Sequence, residues 1–354
     1  MRRSLLAVVA AVFLLTPAVQ GADELLYVRF ADYLDALRQQ VGIPGLQVAV
    51  VGTTDVLWER GFGYQDVSRA VPMRPDTPIH VDGLTEIFAA SSVMQCAENG
   101  RLRLDDRVGS YVADAIEPEA TFRQILSHTS STIGSTLVYA YRPDRLDDLS
   151  GVIRRCEGAS FRSASAQLQS RLAMVNSVPG ADVLAVLPPA TPDEPDDERA
   201  HYSNVLTRLA VPYIVDSQKR VAPTQYSATT LTPSTGLITT VHDYAQFDLA
   251  LRTGLLMQPE TLAEAWRAPI DPATGKALPH GLGWFVQNYN GDPVIWQFGT
   301  GDTGSSSMVV TLPSRGLTLV MAANSTGLVK SFPLAKGDVT TSPFARTFLS
   351  LFTR

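Results

Sequence analysis

The sequence predicts an α/β sandwich of the α+β kind, with a sheet completed by distant parts of the chain and a mostly helical subdomain inserted between them. Two observations carry this reading. Short β-rich runs cluster near both ends, from Leu46 to Trp58 and again from Gly283 to Met321, while helix-patterned segments fill the middle. No internal repeat breaks that order, and 354 residues suit roughly two structural units. The expected division is residues 22–112 with 226–354 as the sheet unit and 113–225 as the helical one.

The elements follow in order. Arg2 and Arg3 precede an apolar run from Leu5 to Leu15, then Pro17 and the small-residue stretch Ala18-Val19-Gln20-Gly21. That is the pattern of a secretory signal peptide over residues 1–21, which implies export to the periplasm or the exterior. The run is short for a bilayer span, so no stable membrane insertion is expected after cleavage. Phe30, Leu34, Leu37 and Val41 recur at helical spacing, and Gly42 offers a stop. Leu46 to Val51 and Val56-Leu57-Trp58 form a hairpin around Gly52-Thr53-Thr54-Asp55. Leu84 to Asn99 is a buried helix ended by Gly100. Phe122 to Ser127 and Leu146 to Cys156 are further helices, with Gly158 as a C-terminal cap. From Leu187 to Ala200, prolines 188, 189, 192 and 195 alternate with acids, which predicts a solvated loop. Tyr244 to Leu251 is helical. Gly283 to Gln287, Ser307 to Thr311 and Leu317 to Met321 are strands, and Phe344 to Phe352 is a closing helix.

Lys and Arg total 29 against 35 Asp and Glu, a formal charge of -6, and no basic stripe offers a footprint for nucleic acid. The two cysteines, Cys96 and Cys156, form no CxxC pair, and with five histidines there is no basis for a metal site or a bound cofactor. An oxidising compartment permits a disulfide. Each cysteine, however, sits in a helical, partly apolar segment, and the preferred reading is two packed thiols.

Several stretches resemble the β-lactamase-related serine hydrolases, the family of class C β-lactamases, D-Ala-D-Ala carboxypeptidases and penicillin-binding proteins. Gly42-Ile43-Pro44-Gly45 through Val51, Arg60-Gly61-Phe62-Gly63-Tyr64 and Leu126-Ser127-His128-Thr129-Ser130 are similar to its opening hairpin and a familiar loop. Gly236-Leu237, Asp243 to Phe247, Gly281 to Trp284 and Leu319 to Ser325 continue the match in order. The resemblance implies an antiparallel sheet flanked by helices. It also implies an acyl-enzyme route, in which S-x-x-K puts a nucleophilic Ser and a Lys base one helical turn apart, a Tyr from Y-x-N relays protons, and an H-x-G or K-T-G strand lines the site.

Aligned on that pattern, Gly83 stands at the serine position and Glu86 at the lysine position. No register slip repairs the motif. Three residues before Lys219, Lys276, Lys330 and Lys336 stand Asp216, Ala273, Gly327 and Pro333. The strand motif falls on Phe298 and Thr300. For Y-x-N, Tyr202-Ser203-Asn204 matches literally, but the context of Tyr141-Arg142-Pro143 fits better, with Pro143 in place of the Asn. Asp82 reads as an ordinary helix N-terminal acid in preference to an addition to a negative pocket, Thr85 as structural, and His128 as a loop residue without a catalytic part. Losing the nucleophile of such a unit typically costs about 10⁶ in kcat. The expected protein is therefore an exported, non-catalytic relative that binds a small-molecule, peptide or glycan ligand in the old cleft or regulates a partner. The alternative is an ester or amide hydrolase in which Glu86 activates a water in the space left by the serine side chain.

Overall fold

The structure, a computed structural model, describes residues 17–131, 137–187, 197–226, 229–302 and 304–353. Its centre is a seven-stranded antiparallel sheet built from both ends of the chain. The strands are β1 (Gly45–Val51), β2 (Val56–Asp66), β3 (Val71–Pro72), β4 (Phe285–Tyr289), β5 (Asp292–Thr300), β6 (Ser306–Leu312) and β7 (Leu317–Ala323). Their spatial order is β4-β5-β6-β7-β1-β2-β3. The first hairpin thus pairs with the last strand, Val48 opposite Met321.

Side chains alternate across a strand, so a strand covered on both faces reads as one continuous apolar run. This is why Leu46 to Val51 lacks polar alternation. Leu46, Val48 and Val50 join Met308, Val310 and Met321 on one face, while Ala49 and Val51 join Val309 and Val320 on the other. The one polar residue of that run, Gln47, is fully buried and satisfied at both ends: its Nε2 donates to the Thr77 carbonyl and its Oε1 accepts from the Val241 N–H.

The first face is covered by α1 (Pro17–Val41) and the closing helix Pro343–Phe352, whose Phe30, Leu34, Phe344 and Phe348 are fully buried. The second face is covered by α2 (Thr85–Glu98) and Val241–Arg252, with Phe88 stacked on Phe247 at 4.0 Å between ring centres. The residues expected as a signal peptide divide here. Residues 1–16 lie outside the described part, and α1 begins at Pro17 and runs through Gly21. Among the described residues, no helix is long and apolar enough to cross a membrane.

Three expectations are corrected. Cys96 and Cys156 are not packed thiols but a disulfide. α2 lies against α3 (Leu149–Glu157) with the two Cα atoms 6.2 Å apart, inside the bridging range. The segment 187–200 is not loop throughout: residues 188–196 lie outside the described part, but Asp197 already starts α4 (Asp197–Thr207). Asp197 and Glu198 complement the positive N-terminal end of that helix, and Tyr202 and Val205 bury its inner face. β5 extends further than expected: the strand motif at Phe298 and Thr300 is only its end, and its start at Asp292 is obscured by Pro293 after a Gly-Asp turn.

Candidate functional site

The site forms where the turn entering α2 meets the end of β5. Asp82–Leu84 is a short 3₁₀ turn, and Asp82 adopts φ of 46°, a region that non-glycine residues rarely occupy. Gly83 follows, pressed against β5. A Cβ placed on Gly83 would lie 2.6 Å from the Phe298 carbonyl oxygen, 3.1 Å from Glu86 Oε1 and 3.2 Å from Gly299 Cα. Gly299 is hemmed in reciprocally by the backbone of Val81 and Gly83. Ser307 Oγ donates to the Val81 carbonyl at 2.5 Å and holds the turn to β6. The position a Cβ would take on Gly83 is therefore obstructed by the Phe298 carbonyl and Gly299, although Gly83 itself lines the cleft.

One turn further on, Glu86 is fully buried. Tyr141 Oη donates to Glu86 Oε1 at 2.6 Å. Glu86 Oε2 faces His128 Nε2 at 3.2 Å and Gln297 Nε2 at 3.4 Å. The histidine tautomer follows from its other side. The Arg142 N–H points at His128 Nδ1 at 3.1 Å, so Nδ1 accepts and Nε2 carries the proton it donates to Glu86. Burial pushes the His128 imidazole down to about 3, so it is neutral. Burial likewise pushes the Glu86 carboxyl up to about 8, with Tyr141 opposing that shift and Asp147 adding to it. When Glu86 holds its proton, the proton belongs on the Oε1 side shared with Tyr141, because Oε2 already faces two donors.

His128 thus departs from expectation: it orients Glu86 rather than serving its loop alone. Asp82 departs too. It is buried, it accepts from Ser305 Oγ at 2.6 Å, and burial raises its carboxyl to about 6. Thr85 turns away, accepting from the Leu237 N–H at 3.2 Å. No sequence pattern marked Gln297 or His280. His280 Nδ1 lies 2.9 Å from the Gly281 carbonyl, and Gln297 Nε2 bridges His280 Nε2 and Glu86.

The two tyrosine candidates separate. Tyr141 stands in the cleft, its ring 5.1 Å from Phe298, and Pro143 and Thr300 line the same cleft. Tyr202 and Asn204 do not reach it. Tyr202 packs with Val178, Val183 and Val205 and donates to Glu198 at 3.0 Å, and Asn204 is exposed on α4. The cleft has a volume of about 310 Å³. Its described lining carries the acids Asp82, Glu86 and Asp302 and the hydroxyls of Ser234 and Thr235, but no lysine or arginine. Among the described residues, no cluster of His, Cys, Asp or Glu could hold a metal ion.

This fold is matched by known proteins. The β-lactamase family model matches residues 30–207 and 182–339, and the chain belongs to that family. It is 30% identical over 124 residues to the protein Flp of Staphylococcus aureus strain MW2, covering 32% of this chain and 25% of that protein. It is 31% identical over 106 residues to the mitochondrial serine β-lactamase-like protein LACTB of Bos taurus, covering 28% and 19% respectively. The chain thus matches a quarter or less of the length of these curated relatives. Among solved structures it resembles the octameric penicillin-binding protein homologue from Pyrococcus abyssi, with TM-score 0.71, 18% identity, and coverage of 92% of this chain and 77% of that one. It also resembles the D-alanine carboxypeptidase AmpC from Burkholderia cenocepacia, with TM-score 0.68, 17% identity, and coverage of 93% and 99%.

Proposed function

We propose that this chain is an exported, non-catalytic member of the β-lactamase family that holds a small ligand in the remnant cleft. The single observation that carries this is the contact at Gly83. The residue at the nucleophile's position lacks a side chain, and the room for one is taken by the Phe298 carbonyl and Gly299. Glu86, at the base position, is held by Tyr141, His128 and Gln297 and, among the described residues, faces no serine or threonine hydroxyl that could serve as nucleophile. Export is supported by the signal-like N-terminus and by the Cys96–Cys156 bond, which persists in oxidising compartments. The cleft offers acids and hydroxyls without a cation, so it suits a ligand rich in hydrogen-bond donors rather than a carboxylate.

The test is incubation with a fluorescent penicillin followed by intact mass measurement. The wild type is expected to stay unlabelled, and stoichiometric acylation would sink the proposal. Gly83→Ser is expected to stay unlabelled as well, and to lose about 1–3 kcal/mol of stability from overpacking against Phe298.

A second reading keeps some chemistry. A cleft carboxyl raised to about 8 is tuned like a general base. Ester turnover that climbs through pH 8 and vanishes in Glu86→Gln would support it. Its weakness is that the carboxyl is fully buried and committed to Tyr141, His128 and Gln297.

A further inference from the structure

The cleft at the end of β5 is unbalanced in charge. Asp302 stands exposed on its lining, and Asp82 lies buried in its wall. Both sit beside Gly301: Asp302 follows it in the chain, and a Cβ placed on Gly301 would lie 3.2 Å from Asp82 Oδ1. Burial, and more weakly the charge of Asp302, push the Asp82 carboxyl up to about 6, so it is ionised at pH 7. Asp147 reaches the same wall from behind, where its Oδ1 accepts from the Ser234 N–H at 3.2 Å.

The arginines that follow Tyr141 in the chain do not offset these charges. Arg142 donates to Glu117 and to Asp144, each at 3.0 Å, and Arg145 donates to Glu117 at 2.8 Å and to the Thr129 carbonyl at 2.9 Å. Neither lines the cleft. The apolar part of the lining is two rings, Tyr141 and Phe298, 5.1 Å apart and tilted by 41°. Tyr141 Oη is committed to Glu86, so what Tyr141 can still offer a ligand is its ring. The face of such a ring is itself negative and attracts a cation.

Given the ligand-holding reading of this cleft, on which the inference rests, we propose that it selects a primary ammonium group carried on a flat apolar body. An ammonium brings three N–H donors and no acceptor, and Asp302, Thr300 and Thr235 supply oxygens on the lining. Thr300 Oγ1 spends its own proton on the Gly301 carbonyl at 3.2 Å, which leaves its lone pairs to accept. An alcohol of the same shape offers one donor and no charge. A carboxylate meets like charge and finds no lysine or arginine on the described lining to pair it. The volume of about 310 Å³ takes a single substituted ring.

The experiment titrates the full chain at pH 7 with benzylamine hydrochloride, benzyl alcohol and sodium benzoate, followed by ¹⁵N–¹H spectra. Benzylammonium is expected to shift the Thr235 and Gly301 amide signals saturably and to bind at least tenfold more tightly than the alcohol, while benzoate leaves those signals in place. Asp302→Asn alters an exposed side chain, so it is expected to keep its Tm, to bind benzylammonium at least fivefold more weakly, and to bind the alcohol as before. The inference is overturned if benzylammonium gives no saturable shift, if the alcohol or benzoate matches it, or if Asp302→Asn leaves its affinity unchanged. Benzoate or the alcohol seated in the cleft would leave the ligand-holding reading intact, whereas acylation by penicillin would sink that reading itself.

Discussion

Glu86 is pulled in two directions, since donors on both its oxygens favour the anion while complete exclusion of water favours the acid. Burial wins, and the carboxyl moves from 4.5 to about 8. The consequence for stability has a definite sign. The unfolded chain releases this proton near 4.5 and the folded chain holds it to about 8, so the stabilisation is complete at low pH and is lost as pH rises through that interval. Asp82 acts in the same direction between 3.8 and about 6. His80 and His128, depressed by burial to about 4 and about 3, act oppositely, and their contribution fades as pH falls below 6.5. From pH 6.5 to 8, Glu86 is therefore the one of these four that titrates. Chemical denaturation is expected to show stability falling there by up to ~1.4 kcal/mol per pH unit, and Glu86→Gln is expected to flatten that slope. The residue-level substitutions were legible because Gly83 and Glu86 sit in a recognisable register. The partners of Glu86 were not, because Tyr141, His128 and Gln297 arrive from three distant segments and only the fold brings them together.

Elements were easiest to read where an apolar or periodic run is closed by a glycine or a turn. α2, the helix at Leu149–Glu157 and the hairpin strands lie close to their expected positions because apolar period and glycine caps agree, Gly158 taking φ of 74° at the end of its helix. The sequence favours packed thiols over the disulfide for a complementary reason: helical periodicity describes each helix separately and says nothing of which turn faces which. That bond closes a 60-residue interval. On a chain-entropy argument, its reduction or the Cys96→Ala/Cys156→Ala pair is expected to cost about 4 kcal/mol. Guanidinium unfolding with and without reductant measures this, and coincident curves would show that the bridge adds nothing.

At the scale of the whole molecule, the sheet is the joint between the two ends of the chain. Asn324 makes this explicit: its Oδ1 accepts from the Gly45 N–H at 2.7 Å, while its Nδ2 donates to the carbonyls of Tyr64 and Val211. The closing helix seals the outer face with Phe344, Phe348 and Leu349, each fully buried. Phe348→Ala is expected to cost about 3–5 kcal/mol. Removing residues 343–354 deletes several such anchors, which should exceed a typical net stability of about 5–15 kcal/mol and leave no cooperative unfolding transition by circular dichroism.

The meeting of Gly83 with Gly299 has a historical consequence. A lost side chain whose socket stays vacant can return by a single codon change. Here the Phe298 carbonyl and Gly299 stand where a Cβ on Gly83 would reach, so a hydroxyl at this position requires the end of β5 to shift as well.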